Sequence, residues 1–166
     1  FADGCAAMLI QPGNSQHRGI LINGFYSEVS LQGKKEMAWE LSSTGFLMTL
    51  TGYVPELIKE NFKALTDKAL RRAGKLQEDI THWCIHPGGK KILDSIAESL
   101  QVNTGTLGFS YAVLKDYGNM SSPTILFVLE RILNELEQEK RVTPAVIFGA
   151  AFGPGITMET FTASYE

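Results

Sequence analysis

The chain has 166 residues, 44% of them hydrophobic and 20% charged, and its 15 lysines and arginines against 18 aspartates and glutamates give a formal net charge of −3. This length and composition suit one globular domain with its own core and exclude a disordered or collagen-like chain. The mild acidity gives no reason to expect nucleic acid or an anionic membrane as a partner, because both select basic patches.

Cysteine content and hydropathy narrow the class further. The two cysteines cannot build a disulfide framework, and two alone cannot complete a four-ligand zinc site. No apolar run approaches the roughly 18 to 20 residues that span a bilayer, and no signal-peptide pattern opens the chain. We therefore expect a soluble, cytoplasmic protein without a membrane partner.

The beginning of the chain predicts two strands and a loop. An apolar run from Cys5 to Ile10 predicts a buried strand, and Gly19 to Leu31 predicts a second one. Residues 33–44 are interpreted as polar and irregular, with Trp39 as their one large apolar residue. Because the chain starts at Phe1 without Met and enters the first strand at once, we expect either a trimmed terminus or the second part of a longer protein.

Helical periodicity marks the middle of the chain. Pro55 to Ala73 predicts a helix, with apolar residues at three- and four-residue intervals and a proline that suits the first turn. Gly88 to Leu100 and Ser110 to Asp116 predict two shorter helices, and a long one is predicted from Ser121 to about Lys140. The apolar stripe of the long helix consists of Leu126, Leu129, Leu133 and Leu136.

Three more strands are predicted, at Thr81 to Ile85, Ala145 to Phe152 and Ile156 to Ala163. Strands and helices therefore alternate along the chain, and neither a repeat nor a linker interrupts them. This order predicts an α/β fold in one domain, with helices packed on a mixed sheet.

His86 stands where a predicted strand ends and a helix begins. Ligand sites in open α/β sheets lie at such edges, and a helix N-terminus favours an anion and disfavours a protonated imidazole. A neutral histidine there can donate a hydrogen bond or act as a base, and Gly88 and Gly89 allow close approach of a ligand. A structural histidine that caps a turn is the alternative.

Asn119 precedes the long helix, after a turn that contains Gly118. As a functional residue it would present an amide donor that stabilises an oxyanion or an enolate. As a structural residue it would cap the helix, which is a common use of asparagine at this position.

Three motifs together resemble the signatures of type III polyketide synthases, the chalcone synthase family. They are His86-Pro-Gly-Gly, Tyr117-Gly-Asn-Met-Ser-Ser and Phe152-Gly-Pro-Gly-Ile-Thr-Met-Glu-Thr. The start, Phe1-Ala-Asp-Gly-Cys-Ala-Ala, resembles the stretch that opens the C-terminal half of this family. The resemblance implies the C-terminal half of a thiolase-like fold, in which two similar halves enclose one active site.

The resemblance also implies a reaction. In this family a cysteine takes an acyl group from a CoA thioester, malonyl-CoA loses CO2, and the resulting carbanion attacks the bound acyl group. By position, His86 matches the catalytic histidine and Asn119 the catalytic asparagine. The intact enzyme would be a homodimer that uses acyl-CoA and malonyl-CoA as substrates and needs no metal or prosthetic group.

Neither cysteine of this chain fits the nucleophile. Cys5 is interpreted as a buried, inert thiol. Cys84 lies two residues before His86 on a strand, which separates the two by about 6.5–7 Å, whereas a Cys–His dyad needs contact at roughly 3 Å. The family's nucleophile is on its N-terminal half, so we expect this polypeptide alone not to condense acyl-CoA substrates.

Several further positions match the substrate pocket of the family. Phe1 matches one of two aromatic residues that gate the cavity, and Met48 stands where the second is usually phenylalanine. Trp39 stands where the plant enzymes have a small cavity residue, which implies a smaller cavity if the indole points inward. Trp39 and Met48 together imply a bacterial character. The alternative for Trp39 is packing of a surface loop.

Ser121 matches a wall of the cavity, with a helix cap as the alternative. Gly153 and Pro154 match the cavity floor, with a simple hairpin turn as the alternative. His17 and His82 are interpreted as structural.

Two other functions stay open at this point. One is a ketoacyl synthase III-like condensing enzyme, which shares the His/Asn pair, and binding of an acyl carrier protein would distinguish it. The other is a non-catalytic thiolase-like module that binds acyl-CoA or dimerises, for which no cysteine-bearing half would be encoded upstream.

Overall fold

A computed structural model describes residues 1–12, 19–139 and 144–165. Its strands and α-helices follow in chain order: β1 (Ile20–Val29), β2 (Met37–Ser42), β3 (Gly45–Leu50), α1 (Val54–Arg72), β4 (His82–Ile85), α2 (Lys90–Leu100), α3 (Gly108–Tyr117), α4 (Thr124–Gln138), β5 (Ala145–Gly153) and β6 (Thr157–Tyr165). His17 and Lys140 lie outside the described residues.

The main sheet has four strands in the order β1-β6-β5-β4. The pair β4/β5 is parallel, and the pairs β5/β6 and β1/β6 are antiparallel, so the sheet is mixed, as predicted. Gly149 of β5 lies opposite Phe161 of β6, and a Cβ atom at Gly149 would overlap the Phe161 ring.

Helices cover both faces of this sheet. Trp83, Ile85 and Phe148 point to one face, where they share a core with α1 and α2. Cys84 and Ile147 point to the other face, toward α3 and α4. Because β4 is covered on both sides, all four of its residues, His82 included, are buried, and no buried/exposed alternation is seen.

The helices α1 and α2 form as their periodicity predicts. All residues of the predicted apolar faces are buried: Ile58, Phe62, Leu65, Ala69, Ile92, Ile96 and Leu100. Pro55 lies in the first turn of α1, and Arg71 and Arg72 lie in its last turn, at the negative pole of the helix dipole. None of the described helices combines the length and the apolar character that crossing a bilayer requires.

The strand predicted at Cys5 to Ile10 is wrong. These residues have no regular secondary structure, and Cys5, predicted to be buried, is exposed together with Met8, Leu9 and Ile10. A strand exists only where a neighbour pairs with its backbone, and within the described residues neither edge of the sheet reaches this segment.

The irregular interpretation of residues 33–44 is also wrong, because half of them, Met37–Ser42, form β2, which pairs with β3 in a hairpin. Trp39 lies on β2 directly opposite Met48 on β3. The hairpin closes at Gly45, whose φ of 130° favours glycine. One face of it is entirely apolar and carries Met37, Trp39, Leu41, Phe46, Met48 and Leu50.

The apolar stripe of α4 is rotated from the predicted one. Leu136 is buried, but Leu126, Leu129 and Leu133 are only partly so. The buried face consists of Thr124, Val128, Ile132 and Leu136. Because α4 has two apolar faces, periodicity alone does not show which one meets the sheet.

Thr66 lies in α1, fully buried, and its hydroxyl has no hydrogen-bond partner among the described residues. Substitution of Thr66→Val keeps the shape of the side chain and removes an unsatisfied polar group. We expect the free energy of unfolding to rise by about 1 kcal/mol, measured as a higher urea midpoint at an unchanged slope. A lower midpoint would show that this hydroxyl makes a stabilising contact.

Candidate active site

His86 is held at the carboxyl end of β4. Its backbone N–H donates to Ala150 of β5 at 2.8 Å, which extends the β4/β5 ladder by one residue. The chain then turns through Gly88 and Gly89, and α2 begins at Lys90. The structure therefore confirms the predicted position, with His86 beside the N-terminus of a helix.

Burial is the main influence on the His86 imidazole. Desolvation lowers its pKa from 6.5 to about 4, so the ring is neutral at pH 7. Neither ring nitrogen has a hydrogen-bond partner within the described residues, and a Cβ atom at Gly88 would lie 3.8 Å from Nε2. A neutral imidazole retains one N–H donor, and here no described neighbour occupies it.

Asn119 lies between α3 and α4, and both ends of its carboxamide are engaged. Nδ2 donates to the backbone oxygen of Gly88 at 3.0 Å, and Oδ1 accepts from the N–H of Ser121 at 2.8 Å. Pro123, not Asn119, occupies the N-cap position of α4. The capping alternative for Asn119 is therefore wrong, and its second Nδ2 hydrogen is left for another acceptor.

The Thr124 side chain forms two hydrogen bonds with the backbone of the turn around Asn119. This side chain is fully buried, and its Oγ1 accepts from Met120 N–H at 2.9 Å and donates to Ser121 C=O at 2.7 Å. Sequence reasoning did not single out Thr124. A threonine two residues after a Ser-Ser pair at a helix start is a signal for such a contact.

The first residues of the chain border the same turn. Ala2 N–H donates to Asn119 C=O at 2.8 Å, and a Cβ atom at Gly4 would overlap Met120. Phe1 therefore lies near the Asn119 turn, with 82% of its surface exposed.

The remaining pocket candidates form a second group. Trp39 is 52% exposed and contacts Phe46 edge-on at 6.1 Å between ring centroids, and Met48 faces it across the hairpin. The strand β2 contacts the turn at Pro154–Ile156 that joins β5 to β6. Ser30 N–H donates to Ile156 C=O at 3.2 Å, which attaches the segment between β1 and the hairpin to this turn.

The strand β5 links the two groups. Ala150 holds His86, and Gly153 follows three residues later, about 10 Å along the strand. Gly153 and Pro154 thus lie at the same end of the sheet as His86. Ser121 is exposed, with a left-handed φ of 64°.

Other titratable groups lie outside this arrangement. Burial raises the pKa of the Cys84 thiol, whose Sγ lies 3.6 Å from the backbone oxygen of Ile125. His82, interpreted as structural, is buried with Nε2 at 3.0 Å from Glu135 Oε2. Across the described ranges no three His, Cys, Asp or Glu side chains gather as metal ligands.

Comparison with known proteins agrees with the resemblance. A family model described as the C-terminal domain of the chalcone and stilbene synthases matches residues 26–164. Type III polyketide synthase C of Arabidopsis thaliana is 32% identical over 165 residues, which cover 97% of this chain and 43% of that protein.

Solved structures show the same similarity and confirm the thiolase-like fold class. PKS-I of the brown alga Ectocarpus siliculosus has a TM-score of 0.79 at 26% identity and covers 89% of this chain. A bacterial type III polyketide synthase, 1,3,6,8-tetrahydroxynaphthalene synthase from Streptomyces coelicolor, has a TM-score of 0.76 at 26% identity and covers 90%. This chain spans 40% and 42% of those two chains.

The titration of His86 tests the description of the site. We expect its imidazole to titrate with a midpoint of about 4 rather than 6.5, measured from its ring-proton NMR shift and assigned by loss of the signal in His86→Gln. Because the folded-state pKa is the lower one, the unfolded chain binds this proton first. His86 therefore lowers stability as pH falls from 6.5 toward 4. A midpoint near 6.5 would contradict the burial of the ring.

Proposed function

The chain belongs to the chalcone and stilbene synthase family, and from this membership we propose that it forms the C-terminal half of a type III polyketide synthase. The activity would be decarboxylative condensation of an acyl-CoA starter with malonyl-CoA. Malonyl-CoA loses CO2 to give a thioester enolate. The enolate carbon then attacks the enzyme-bound acyl thioester, a carbon–carbon bond forms, and the cysteine sulfur leaves.

One observation carries the proposal: the two candidate donors, His86 and Asn119, both lie next to Gly88. The Asn119 carboxamide donates to the Gly88 backbone oxygen, and a Cβ atom at Gly88 would lie 3.7 Å from Cδ2 and 3.8 Å from Nε2 of His86. Two uncharged donors from different parts of the chain therefore both lie beside Gly88. Such donors stabilise the negative oxygen of an enolate or a tetrahedral intermediate.

The low pKa of His86 favours the role of a neutral donor. A neutral imidazole gives a hydrogen bond to the developing oxyanion without carrying a buried charge. A cysteine thiolate brought into contact with the ring would raise this pKa, because an opposite charge stabilises the imidazolium. The same histidine would then hold the nucleophile as a thiolate.

We propose that the nucleophile is on a different part of the protein. Cys84 is fully buried and its pKa is raised, so it is not a thiolate at neutral pH. Cys5 is exposed on a segment without regular structure. The assignment of all residues 1–166 to the C-terminal half, the homodimer, the absence of a cofactor and the cytoplasmic location remain predictions.

Trp39 and Met48 are proposed to line the substrate cavity. They share the apolar face of the hairpin, and β2 contacts the Pro154–Ile156 turn. Phe1, Ser121, Gly153 and Pro154 complete the proposed lining. A face of exposed apolar side chains is suited to a polyketide chain rather than to water.

The His86→Ala and Asn119→Ala substitutions test the catalytic assignment in the full-length protein. Each should lower the rate of malonyl-CoA decarboxylation by about two to three orders of magnitude, because each removes a donor to the oxyanion. The measurement is acetyl-CoA formation followed by mass spectrometry. Asn134→Ala, on an exposed position of α4, is the matched control and should keep normal rates. Near-normal turnover in either site variant would refute the assignment.

Trp39→Ala tests the cavity. Removal of the indole, the largest side chain on the apolar face of the hairpin, should enlarge the cavity and lengthen the main product by about one extension unit. The products are identified by mass after incubation with a panel of acyl-CoA starters and malonyl-CoA. Glu40→Ala, on the opposite face of β2, is the control and should leave the products unchanged. An unchanged product length in Trp39→Ala would place the indole outside the cavity.

A further inference from the structure

We propose that Thr124 is a positioning residue that orients the Asn119 carboxamide through the backbone of residues 120 and 121. This inference rests on the proposed function, because it concerns the same oxyanion site. It adds a residue that touches neither substrate nor reacting atoms and acts only through Asn119.

The Thr124 hydroxyl uses both of its hydrogen-bonding roles on the Asn119 turn. Its Oγ1 accepts from Met120 N–H at 2.9 Å and donates to Ser121 C=O at 2.7 Å. The side chain is fully buried and Met120 is 5% exposed, so water does not replace these bonds easily. Both backbone partners belong to the two residues that directly follow Asn119.

Ser121 connects the Thr124 hydroxyl to the Asn119 carboxamide, because its backbone is hydrogen-bonded to both side chains. Its left-handed φ of 64° is uncommon for a serine and persists only where the surroundings support it. In this conformation its N–H donates to Asn119 Oδ1 at 2.8 Å. With Oδ1 held there, Nδ2 faces the Gly88 oxygen, and its second hydrogen has one defined direction.

A simple helix cap does not account for these contacts. A capping side chain accepts from N–H groups inside the first turn of its helix. Thr124 is itself the first residue of α4, and its hydroxyl accepts from Met120, which precedes the helix. The hydroxyl therefore stabilises the turn that precedes α4 rather than the first turn of the helix itself.

The test compares Thr124→Val, which removes the hydroxyl, with Thr124→Ser, which keeps it, in the full-length protein. For Thr124→Val we expect the kcat of malonyl-CoA decarboxylation to fall on the order of tenfold to a hundredfold, since small misplacements of a catalytic group cost this much. The KM should change less than about twofold, because ground-state binding is not altered. Thr124→Ser should recover most of the activity.

The deciding measurement is a double-mutant cycle with Asn119→Ala. If Thr124 acts only through Asn119, then Thr124→Val has no further effect on kcat once Asn119 is alanine. Thr66→Val is the matched control, because Thr66 is equally buried and its hydroxyl has no partner among the described residues. It should leave kcat unchanged in both backgrounds.

Two results would overturn the inference: an equal loss from Thr124→Val with and without Asn119, or a folded Thr124→Val with normal kcat. Should Thr124→Val not fold, Thr124→Ala takes its place in the same cycle, since it lacks both the hydroxyl and the branched methyl. Normal turnover in Asn119→Ala alone is a separate outcome. That result refutes the proposed role of Asn119, and the inference about Thr124 fails with it.

Discussion

Burial of β4 on both faces is the constraint on which the candidate site depends. His82 and Cys84 pack toward α3 and α4, whereas Trp83 and Ile85 pack toward α1 and α2. A strand fixed from both sides and paired with β5 has little freedom along its axis or about it. The residue after this strand is His86, so its place at the edge of the sheet follows from the core.

Burial lowers the pKa of His86 and raises the pKa of Cys84, and the consequences for their chemical use are opposite. Desolvation keeps His86 uncharged, which suits a hydrogen-bond donor to an anion in a medium of low dielectric constant. Desolvation also raises the pKa of Cys84 and so removes its use as a nucleophile. A site of this kind can stabilise negative charge that arises on a substrate, but Cys84, the cysteine nearest to His86 in sequence, supplies no thiolate to begin the reaction.

The elements that the sequence predicts well are those whose signal is local. The buried faces of α1 and α2 follow directly from periodicity, and His86 follows from a strand that runs into a helix. Cys5 to Ile10 has the composition of a strand, yet pairing depends on a neighbour that no residue of the segment specifies. In the hairpin, Met37, Trp39 and Leu41 alternate as a strand requires. This alternation is short and stands in a largely polar stretch, so it is easily overlooked in the sequence. Asn119 is ambiguous in sequence because its bond to Gly88 is a tertiary contact.

The packing of the Phe161 ring against Gly149, where a Cβ atom would not fit, also determines how the active site is aligned. Neighbouring strands can in principle slip past each other by a residue, and each slip turns every side chain to the opposite face. Only a residue without a Cβ accepts the Phe161 ring, and Gly149 stands beside Ala150, which binds the His86 backbone. One large and one small residue thus select a single register for β5 and β6. A chain that folded in the wrong register would carry every motif of this family and still present no assembled site.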